Sequence, residues 1–283
     1  MDQKTPFVIG IGEVLWDMLP EGKRCGGAPA NVVYHLTKLG IKSAIVSSVG
    51  NDSDGIELLQ FLNSHGVCTD FITQNELKTG VVNVELHDGI PQYDICCPAA
   101  WDNIILPEKL QNLLPDTSAV IFGTLGQRGN ESRKTIQCLL SLLPESCLRI
   151  FDINLRQSYY NEDLIRSSLE VCEILKINDE ELEILSKMFG ISGTHETIVK
   201  TLAEKYSLKA VILTLGAKGS MLFDGKNFSE YPVQPCKVVD TVGCGDSFLA
   251  AWCASVLNGE SMENAMHAGT KLSAEIASRT GAI

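Results

Sequence analysis

Short apolar runs alternate with helix-like segments along most of this chain, and this alternation constrains the fold more than any other feature. Runs rich in β-branched residues predict strands, and apolar residues at helical spacing predict helices between them. Strands that alternate with helices pair into a mostly parallel sheet with helices on both faces. The predicted strands lie near residues 7–11, 43–49, 119–122, 148–153, 173–177 and 210–215, and the predicted helices near 29–39, 54–65, 131–143, 179–189, 195–206, 246–258 and 261–278.

The run at residues 210–215 shows how deeply these strands are expected to be buried. It is continuously rather than alternately apolar, as burial on both faces of a sheet requires. With 283 residues, of which 45% are hydrophobic, the chain is long enough to bury a full core. No repeat, low-complexity tract or Pro/Gly/Ser-rich linker divides it. We therefore expect one α/β domain over residues 1–283.

One segment departs from this pattern. Apolar and polar residues alternate over residues 82–87, and Asp88-Gly89 then predicts a hairpin turn into residues 90–95. The result would be a half-exposed antiparallel ribbon. One interpretation is a small lid over the α/β body, built from segments near 13–25 and 79–100, since nothing else would cover the apolar face of the ribbon. The other is a surface hairpin packed on the main sheet.

The composition of the chain restricts which partners it is expected to bind and where in the cell it is expected to lie. A formal net charge of −12 and a pI near 4.9 disfavour nucleic acid and anionic membranes as partners. The ten cysteines form no CxxC pair and no His/Cys ligand spacing, so we expect reduced, mostly buried thiols rather than a zinc site. No signal-peptide core and no membrane-length apolar stretch is visible, which predicts a cytoplasmic protein.

Residues 240–248, Asp-Thr-Val-Gly-Cys-Gly-Asp-Ser-Phe, predict an anion-binding turn. Gly243 and Gly245 allow positive φ and close approach of a ligand to the backbone. The helix that follows directs unpaired N–H groups and a partial positive charge at that ligand. A phosphoryl group fits such a site, and Asp246 on the first turn could take a proton from an attacking hydroxyl. The helix-end potential should keep Asp246 ionised and therefore a weak base.

Gly26-Gly27-Ala28-Pro29-Ala30-Asn31 places two glycines before a predicted helix with proline at its first position. Alone, this is an ordinary glycine-rich helix start. Asn31 and Asp17 favour a binding site, because both are polar where a sugar hydroxyl could be met. Polar groups at the carboxyl edge of an α/β sheet are where ligands usually bind.

Two nucleotide-binding motifs are excluded. Gly10-Ile11-Gly12 follows the first strand as in a dinucleotide fingerprint, but Leu15 replaces the third glycine and no helix begins there. Residues 216–220 have the wrong spacing for a P-loop. If the protein handles ATP, it does so without a Walker lysine.

Two further polar elements follow predicted strands. Asn178-Asp179-Glu180-Glu181 opens a helix, where simple capping explains the residues when they are taken alone. Arg156 follows the strand that ends near Ile153, and its planar fork of donors could hold phosphate oxygens. Taken alone, Arg156 is better explained as a surface salt-bridge residue.

Four motifs occur in order along the chain: Gly26-Gly27 with Asn31, Asn178 with Glu181, Thr214 with Gly216 and Gly219, and Asp240 to Asp246. Together they resemble the motifs of the ribokinase-like (PfkB) carbohydrate kinase family, and the resemblance covers essentially the whole chain. Cys244 stands where the family usually has alanine, and we expect little effect because that residue contributes mainly its backbone N–H. The resemblance implies a ribokinase-like three-layer α/β/α sandwich with a mostly parallel sheet and a small β lid.

Several segments are also similar to bacterial fructokinases: residues 12–17, 26–31, 100–102, 123–128 and 152–156. This similarity implies that ATP, with Mg²⁺, donates its γ-phosphoryl group to a small sugar, with fructose giving fructose 6-phosphate as the expected reaction. Kinases for ribose, 2-keto-3-deoxygluconate, tagatose or a nucleoside share the frame and remain alternatives. A non-catalytic sugar sensor is a further alternative, against which the intact Asp246 and anion-binding turn argue.

The resemblance also implies roles for individual residues. In the transfer step, Asp246 would accept the hydroxyl proton, with the phosphoryl group held by Gly243, Cys244, Gly245 and Arg156. The expected sugar contacts are Asp17, Gly26, Gly27, Asn31 and Trp101, and the expected ATP contacts are Asn178, Thr214, Gly216 and Gly219. Glu181 would hold Mg²⁺ through water, since Mg²⁺ dehydrates reluctantly, and Asp240 would belong to a K⁺ site. The expected partners are the sugar, ATP and a second copy of the chain that docks through the lid.

Overall fold

Thirteen strands are found in the computed structural model, which describes residues 5–19, 22–87 and 90–283. In chain order they are β1 (Phe7–Ile11), β2 (Leu15–Leu19), β3 (Gly22–Gly26), β4 (Lys42–Gly50), β5 (Ile72–Asn75), β6 (Gly80–His87), β7 (Ile90–Ile95), β8 (Ala119–Gly123), β9 (Leu148–Asp152), β10 (Ile174–Asn178), β11 (Ala210–Thr214), β12 (Ser220–Phe223) and β13 (Phe228–Tyr231). All six strands predicted from apolar runs are present, with ends that differ from the prediction by one residue at most.

Eight α-helices lie between or after these strands in the described ranges: α1 (Ala28–Lys38), α2 (Ser53–Ser64), α3 (Asn130–Leu142), α4 (Glu162–Leu169), α5 (Asp179–Phe189), α6 (His195–Tyr206), α7 (Cys244–Leu257) and α8 (Met262–Ala277). The seven predicted helices are all found. Helix α4 was not predicted, because its eight residues are too few to show a clear period; Asn161 caps it by accepting a hydrogen bond from the Leu164 N–H. Helix α7 begins two residues earlier than predicted.

The main sheet has nine strands within the described ranges, in the order β13-β12-β11-β10-β9-β8-β1-β4-β5. Pairing is parallel from β11 to β5, and only the β12 and β13 edge is antiparallel. Alternate residues of one strand belong to different core layers: Ile174 lies in the layer that contains residues of α1, α7 and α8, whereas Leu175 lies in the layer that contains residues of α3, α4, α5 and α6. The predicted three-layer α/β architecture is therefore confirmed, and burial on both faces explains the continuously apolar strands.

A second sheet has four strands among the described residues, in the order β3-β2-β6-β7. The predicted antiparallel ribbon is confirmed as β6 and β7, but it pairs with β2 rather than with the main sheet. The interpretation as a hairpin on the main sheet is therefore wrong. The predicted turn at Asp88-Gly89 lies outside the described residues. Trp16 ties this sheet to the body, since its Nε1 donates to the Asp54 carbonyl at 3.0 Å.

The structure tests two predictions that were made from composition. No helix in the described part of the chain is long and apolar enough to cross a bilayer, and the cytoplasmic location stays a prediction. All ten cysteines are free thiols, but only four of them are buried, so the prediction that most are buried is wrong. Cys97, Cys138 and Cys236 lie on exposed loops and helix surfaces, where local sequence carries no signal of burial.

Candidate active site

The amino end of α7 forms the anion-binding turn. Gly243 caps the helix with φ 77°, and a Cβ at that position would lie 2.3 Å from the Cβ of Ala282. The first intrahelical bond runs from the Ser247 N–H to the Gly243 carbonyl at 2.8 Å. The N–H groups of Gly245 and Asp246 precede that bond and have no acceptor within the helix. Cys244 differs from the prediction, because its N–H donates to the Thr241 carbonyl at 3.2 Å within the turn itself.

Asp246 is tied to the helix that follows Gly26-Gly27. The Asn31 Nδ2 donates to Asp246 Oδ2 at 2.7 Å, across 215 residues of sequence. Burial and the Asp152 carboxylate together raise the pKa of Asp246 to about 6, against the opposing effects of Asn31, Lys176 and Arg156. The carboxylate is still ionised at neutral pH but is more basic than the helix-end potential alone suggested. Asp246 is therefore a stronger base than predicted, because burial in the folded protein disfavours its ionised form. The sequence does not reveal this burial.

The glycine-rich start of α1 lies beside Asp17. Gly27 caps α1 with φ 108°, and a Cβ there would lie 2.4 Å from the Glu13 carbonyl oxygen. A Cβ at Gly26 would lie 2.5 Å from Asp17 Oδ2, so only a glycine lets β2 and β3 hold this carboxylate against the backbone. Burial raises the pKa of Asp17 to about 6, and Arg156 and Arg24 oppose that shift.

Asn31 links this region to the anion-binding turn and still has an unused acceptor. Its Oδ1 is buried and has no hydrogen-bond partner among the described residues. Buried polar atoms are almost always paired, so an unpaired one beside a cleft points to a group that binds there. A donor such as a sugar hydroxyl would satisfy it. The structure thus brings Asp17, Gly26, Gly27, Asn31 and Asp246 together at one edge of the sheet.

Arg156 lies in the loop after β9. Its side chain is exposed, and Nη1 donates to the Leu155 carbonyl at 3.0 Å. Its positive charge lowers the pKa of Glu13, Asp17 and Asp246 alike. The guanidinium is therefore close enough to these three carboxylates for its charge to act on each of them.

The next two strand ends carry the predicted nucleotide contacts. Asn178 and Thr214 are register partners at the carboxyl ends of β10 and β11. Gly216 and Gly219 follow in a short 3-10 turn with φ 55° and 104°, and a Cβ at Gly219 would lie 2.2 Å from the Tyr231 carbonyl oxygen. These residues therefore lie at or just beyond the carboxyl ends of β10 and β11.

This edge-of-sheet site can now be compared with known proteins. Residues 21–283 match the family model described as pfkB family carbohydrate kinase. The chain belongs to the PfkB family. Members transfer a phosphoryl group to an alcohol, so this protein is a phosphotransferase with an alcohol group as acceptor, and ATP is its nucleotide.

Three relatives are similar to this chain over most of their length. A protein named as a sugar kinase from Pyrococcus horikoshii is 30% identical over 270 residues, covering 89% of this chain and 83% of the relative. Its crystal structure in complex with ATP superimposes with a TM-score of 0.83 at 26% identity, covering 97% of this chain and 93% of that one.

The other two relatives have different substrates in their names. An ATP-dependent 6-phosphofructokinase from Thermoanaerobacterium thermosaccharolyticum is 28% identical over 299 residues, covering 100% of this chain and 91% of the relative. A fructokinase from Rhizobium leguminosarum bv. trifolii is 27% identical over 264 residues, covering 88% of this chain and 79% of the relative. The relatives therefore agree on a kinase and differ in the acceptor.

One predicted sugar contact of this PfkB kinase is wrong. The Trp101 side chain has no exposed surface, and it packs in the main core. The Arg128 guanidinium stacks 3.8 Å from its ring centroid, and Asp102 pairs with Arg128 at 2.8 Å. A side chain closed in on every side cannot contact a ligand in this conformation. A tryptophan beside a sugar-kinase motif suggests a stacking platform, but its large apolar surface favours burial as strongly.

The capping interpretation describes the observed contacts of Asn178 and Glu181. Asn178 Oδ1 accepts from the Glu181 N–H at 2.8 Å, and Glu181 Oε2 accepts from the Asn178 N–H at 3.0 Å. Glu181 Oε1 accepts from the Leu155 N–H at 2.8 Å, which anchors the loop that carries Arg156. Both carboxylate oxygens are therefore engaged, and direct ligation of a metal by Glu181 is not supported.

Asp240 also has partners already. Its Oδ1 accepts from the Val242 N–H at 3.0 Å, and its Oδ2 accepts from the Gly281 N–H at 2.9 Å, with Arg24 Nη1 3.9 Å away. These contacts join the turn, the chain end and β3. Across the described ranges, no group of three or more His, Cys, Asp or Glu side chains could hold a metal ion.

Sequence reasoning missed three charged residues of this site. Glu13 is buried, its Oε1 accepts from the Ala28 N–H at 3.2 Å, and burial raises its pKa to about 7. Lys176 and Asp152 form a buried ion pair at 2.8 Å. A signal for Lys176 was present, because it is a lone cation inside the apolar run of β10.

Proposed function

We propose that this PfkB kinase transfers the γ-phosphoryl group of ATP to the O6 hydroxyl of fructose, giving fructose 6-phosphate. The observation that carries the proposal is the 2.7 Å hydrogen bond between Asn31 and Asp246. It brings the glycine-rich, sugar-facing start of α1 to the head of the anion-binding helix α7. A hydroxyl held by the unused Asn31 Oδ1 would lie next to the carboxylate that is to take its proton.

Asp246 acts as the general base in this proposal. With a pKa of about 6 it is ionised at pH 7 and is closer to the operating pH than an ordinary aspartate, which favours proton transfer. The N–H groups at the start of α7 and the partial positive charge of the helix stabilise the negative charge on the transferring phosphoryl group. Arg156 adds a guanidinium between the sugar and the phosphates.

ATP lies along the ends of β10 and β11 in this proposal, against Asn178, Thr214, Gly216 and Gly219. Mg²⁺, when bound, neutralises charge on the phosphate oxygens. Glu181 fits a contact to Mg²⁺ through water rather than a direct bond, because both of its oxygens already accept N–H groups. This is the usual behaviour of an ion that keeps part of its hydration shell.

The second sheet serves as the lid. Arg24 on β3 lies 3.9 Å from Asp240 in the anion-binding turn, so the sheet already reaches across the site. Closure would exclude water, which otherwise competes with the sugar as acceptor. A homodimer through the lid stays a prediction, with Met18 as a 39% exposed apolar side chain on β2.

The decisive test of the substrate is an ADP-release assay with fructose, ribose, glucose, tagatose, 2-keto-3-deoxygluconate, adenosine and fructose 6-phosphate, with the Asp246→Asn protein as blank. We expect the highest kcat/KM with fructose, and fructose 6-phosphate as the isolated product. A preference for another acceptor would contradict fructose and leave the kinase standing. Tight sugar binding with no ADP release from any acceptor would instead identify a sensor.

The K⁺ site is tested separately. If Asp240 and the neighbouring carbonyls hold K⁺, activity in K⁺ should exceed activity in tetramethylammonium at equal ionic strength. Arg24 and two N–H groups already satisfy the Asp240 carboxylate, so K⁺ would have to be held by backbone oxygens of the same turn. Equal rates in the two salts would contradict a functional K⁺ site in this turn.

A further inference from the structure

A buried ion pair lies beneath the anion-binding turn. Lys176 on β10 and Asp152 at the end of β9 are register partners, and their Nζ and Oδ1 atoms are 2.8 Å apart. Their side chains are 9% and 6% exposed. Removing two charges from water costs free energy that the pairing does not reliably return, and apolar residues of similar volume often serve a fold as well or better. Stability therefore does not explain why this strand carries a lysine.

The position of the pair suggests another purpose. The Lys176 ammonium lies against the first turn of α7, where a Cβ on Gly245 would be only 3.2 Å from Nζ. Glycine at this position leaves the ammonium and the helix backbone in contact. Asp152 uses only one oxygen for the pair, since its Oδ2 is buried with no hydrogen-bond partner among the described residues. Asp152 therefore keeps one carboxylate oxygen that the ion pair does not occupy.

We propose that Lys176 and Asp152 are positioning residues for Asp246: through the bare backbone of Gly245, their opposite charges set how readily that carboxylate takes the hydroxyl proton. The inference rests on the proposed function, in which Asp246 is the base. After burial, the Asp152 carboxylate is the strongest influence that raises the pKa of Asp246, and the Lys176 ammonium opposes it. Burial lowers the pKa of Lys176, but the carboxylates of Asp152, Asp246 and Glu181 outweigh burial and raise that pKa above its usual value.

Other groups also face Asp246, from every element packed against it. They are Asn31 on α1, Arg156 after β9, Glu13 between β1 and β2, and Cys244 on α7 itself. None of these is altered when the ion pair is changed. Variants of Asp152 and Lys176 therefore report on the pair alone, provided the protein still folds.

The test is the pH dependence of kcat/KM for the sugar in wild type, Asp152→Asn and Lys176→Met. In wild type, activity should fall as the pH drops through about 6, because the base becomes protonated. Asp152→Asn removes a neighbouring negative charge. The low-pH side of the kcat/KM profile, the acid limb, should therefore move down by about one pH unit. Lys176→Met leaves two carboxylates sharing the site without a cation, so the limb should move up by a similar amount.

Opposite shifts from the two halves of one ion pair separate this role from a structural one. Loss of either partner should lower the melting temperature, which is a change in the same direction for both variants. The conservative variant Lys176→Arg should keep the wild-type limb, and Asp152→Asn with Lys176→Met combined should fall between the two single variants. If one single variant does not fold, the other single variant compared with the double variant still measures the effect of the missing charge.

Two failures are distinguishable. If the Asp246→Asn protein keeps the turnover and the acid limb of wild type, the base assignment fails. If that limb is present in wild type and lost in Asp246→Asn, but Asp152→Asn and Lys176→Met leave it in place or move it the same way, the ion-pair inference fails alone.

Discussion

Replacing Asp246 by asparagine is expected to lower kcat by about 10² to 10⁴-fold, with the KM for the sugar little changed. Asparagine has nearly the same shape and can still accept the Asn31 hydrogen bond through its carbonyl oxygen, but it cannot take the hydroxyl proton. The loss should therefore appear in the chemical step rather than in binding. Steady-state kinetics at saturating ATP, with sugar binding measured by calorimetry, would separate the two.

The same substitution should not cost stability. The pKa of Asp246 is raised from 3.8 to about 6 in the folded protein, so the stability it contributes is present below pH 3.8 and is lost as the pH rises through about 6. Asparagine has no ionised form to bury. Asp246→Asn should thus melt at a higher temperature than wild type at pH 7.5, and the difference should shrink toward pH 4.

Glu263→Gln is the matched control for this prediction. Glu263 is an exposed carboxylate in the first turn of α8, so its replacement also removes a negative charge from a helix start. We expect kcat to stay at the wild-type value and stability to fall by a few tenths of a kcal/mol at most. Near wild-type turnover in Asp246→Asn would show that another group accepts the proton.

The second large effect is expected from Gly243→Ala. Gly243 has φ 77°, a conformation that costs an L-residue about 1 to 2 kcal/mol. The added methyl would also lie 2.3 Å from the Ala282 Cβ and 2.6 Å from its Cα. Either the turn or the chain end must move. Because a shift of about 1 Å in a catalytic group can cost 10²-fold, we expect kcat/KM to fall by about that factor.

Gly259→Ala is the control that measures the cost of positive φ alone. Gly259 has φ 88°, lies just beyond α7, and has no atom within 4 Å of an added Cβ. Gly259→Ala should lose only the stability that positive φ costs, measured by thermal or urea unfolding, whereas Gly243→Ala should lose more stability and should also lose activity. Equal activity in the two proteins would mean that the turn tolerates displacement, and the anion-binding role of its backbone would then have to be abandoned.

Much of the fold follows from local sequence. The continuously apolar run at 210–215 predicted a strand buried on both faces, and β11 is such a strand, with Val211 and Ile212 in different core layers. The alternation over 82–87 predicted an antiparallel ribbon, and β6 pairs with β7 in that way. These features depend on side-chain periodicity and turn chemistry within a few residues, so a sequence contains them directly.

Fewer features of the candidate site than of the fold could be predicted from the sequence. Asp246 and the glycines around it stand out because a glycine-flanked carboxylate at a helix start has few explanations. Trp101 was misplaced, because a tryptophan is equally suited to a ligand platform and to a core, and only its neighbours decide. Glu13 was passed over once the dinucleotide motif around it had been excluded, although its burial against the start of α1 makes it part of the site.

Local sequence predicts the α/β architecture, the glycine-bounded turn at 243 and the carboxylate at 246, because each depends on residues close in the chain. The folded chain brings Asn31 to Asp246 across 215 residues and places Lys176 with Asp152 beneath Gly245. Such contacts depend on strand order and helix packing, and the pKa of Asp246 depends on the burial they produce. Desolvation and charge pairing are properties of the folded neighbourhood, so the chemistry of the proposed base was decided there.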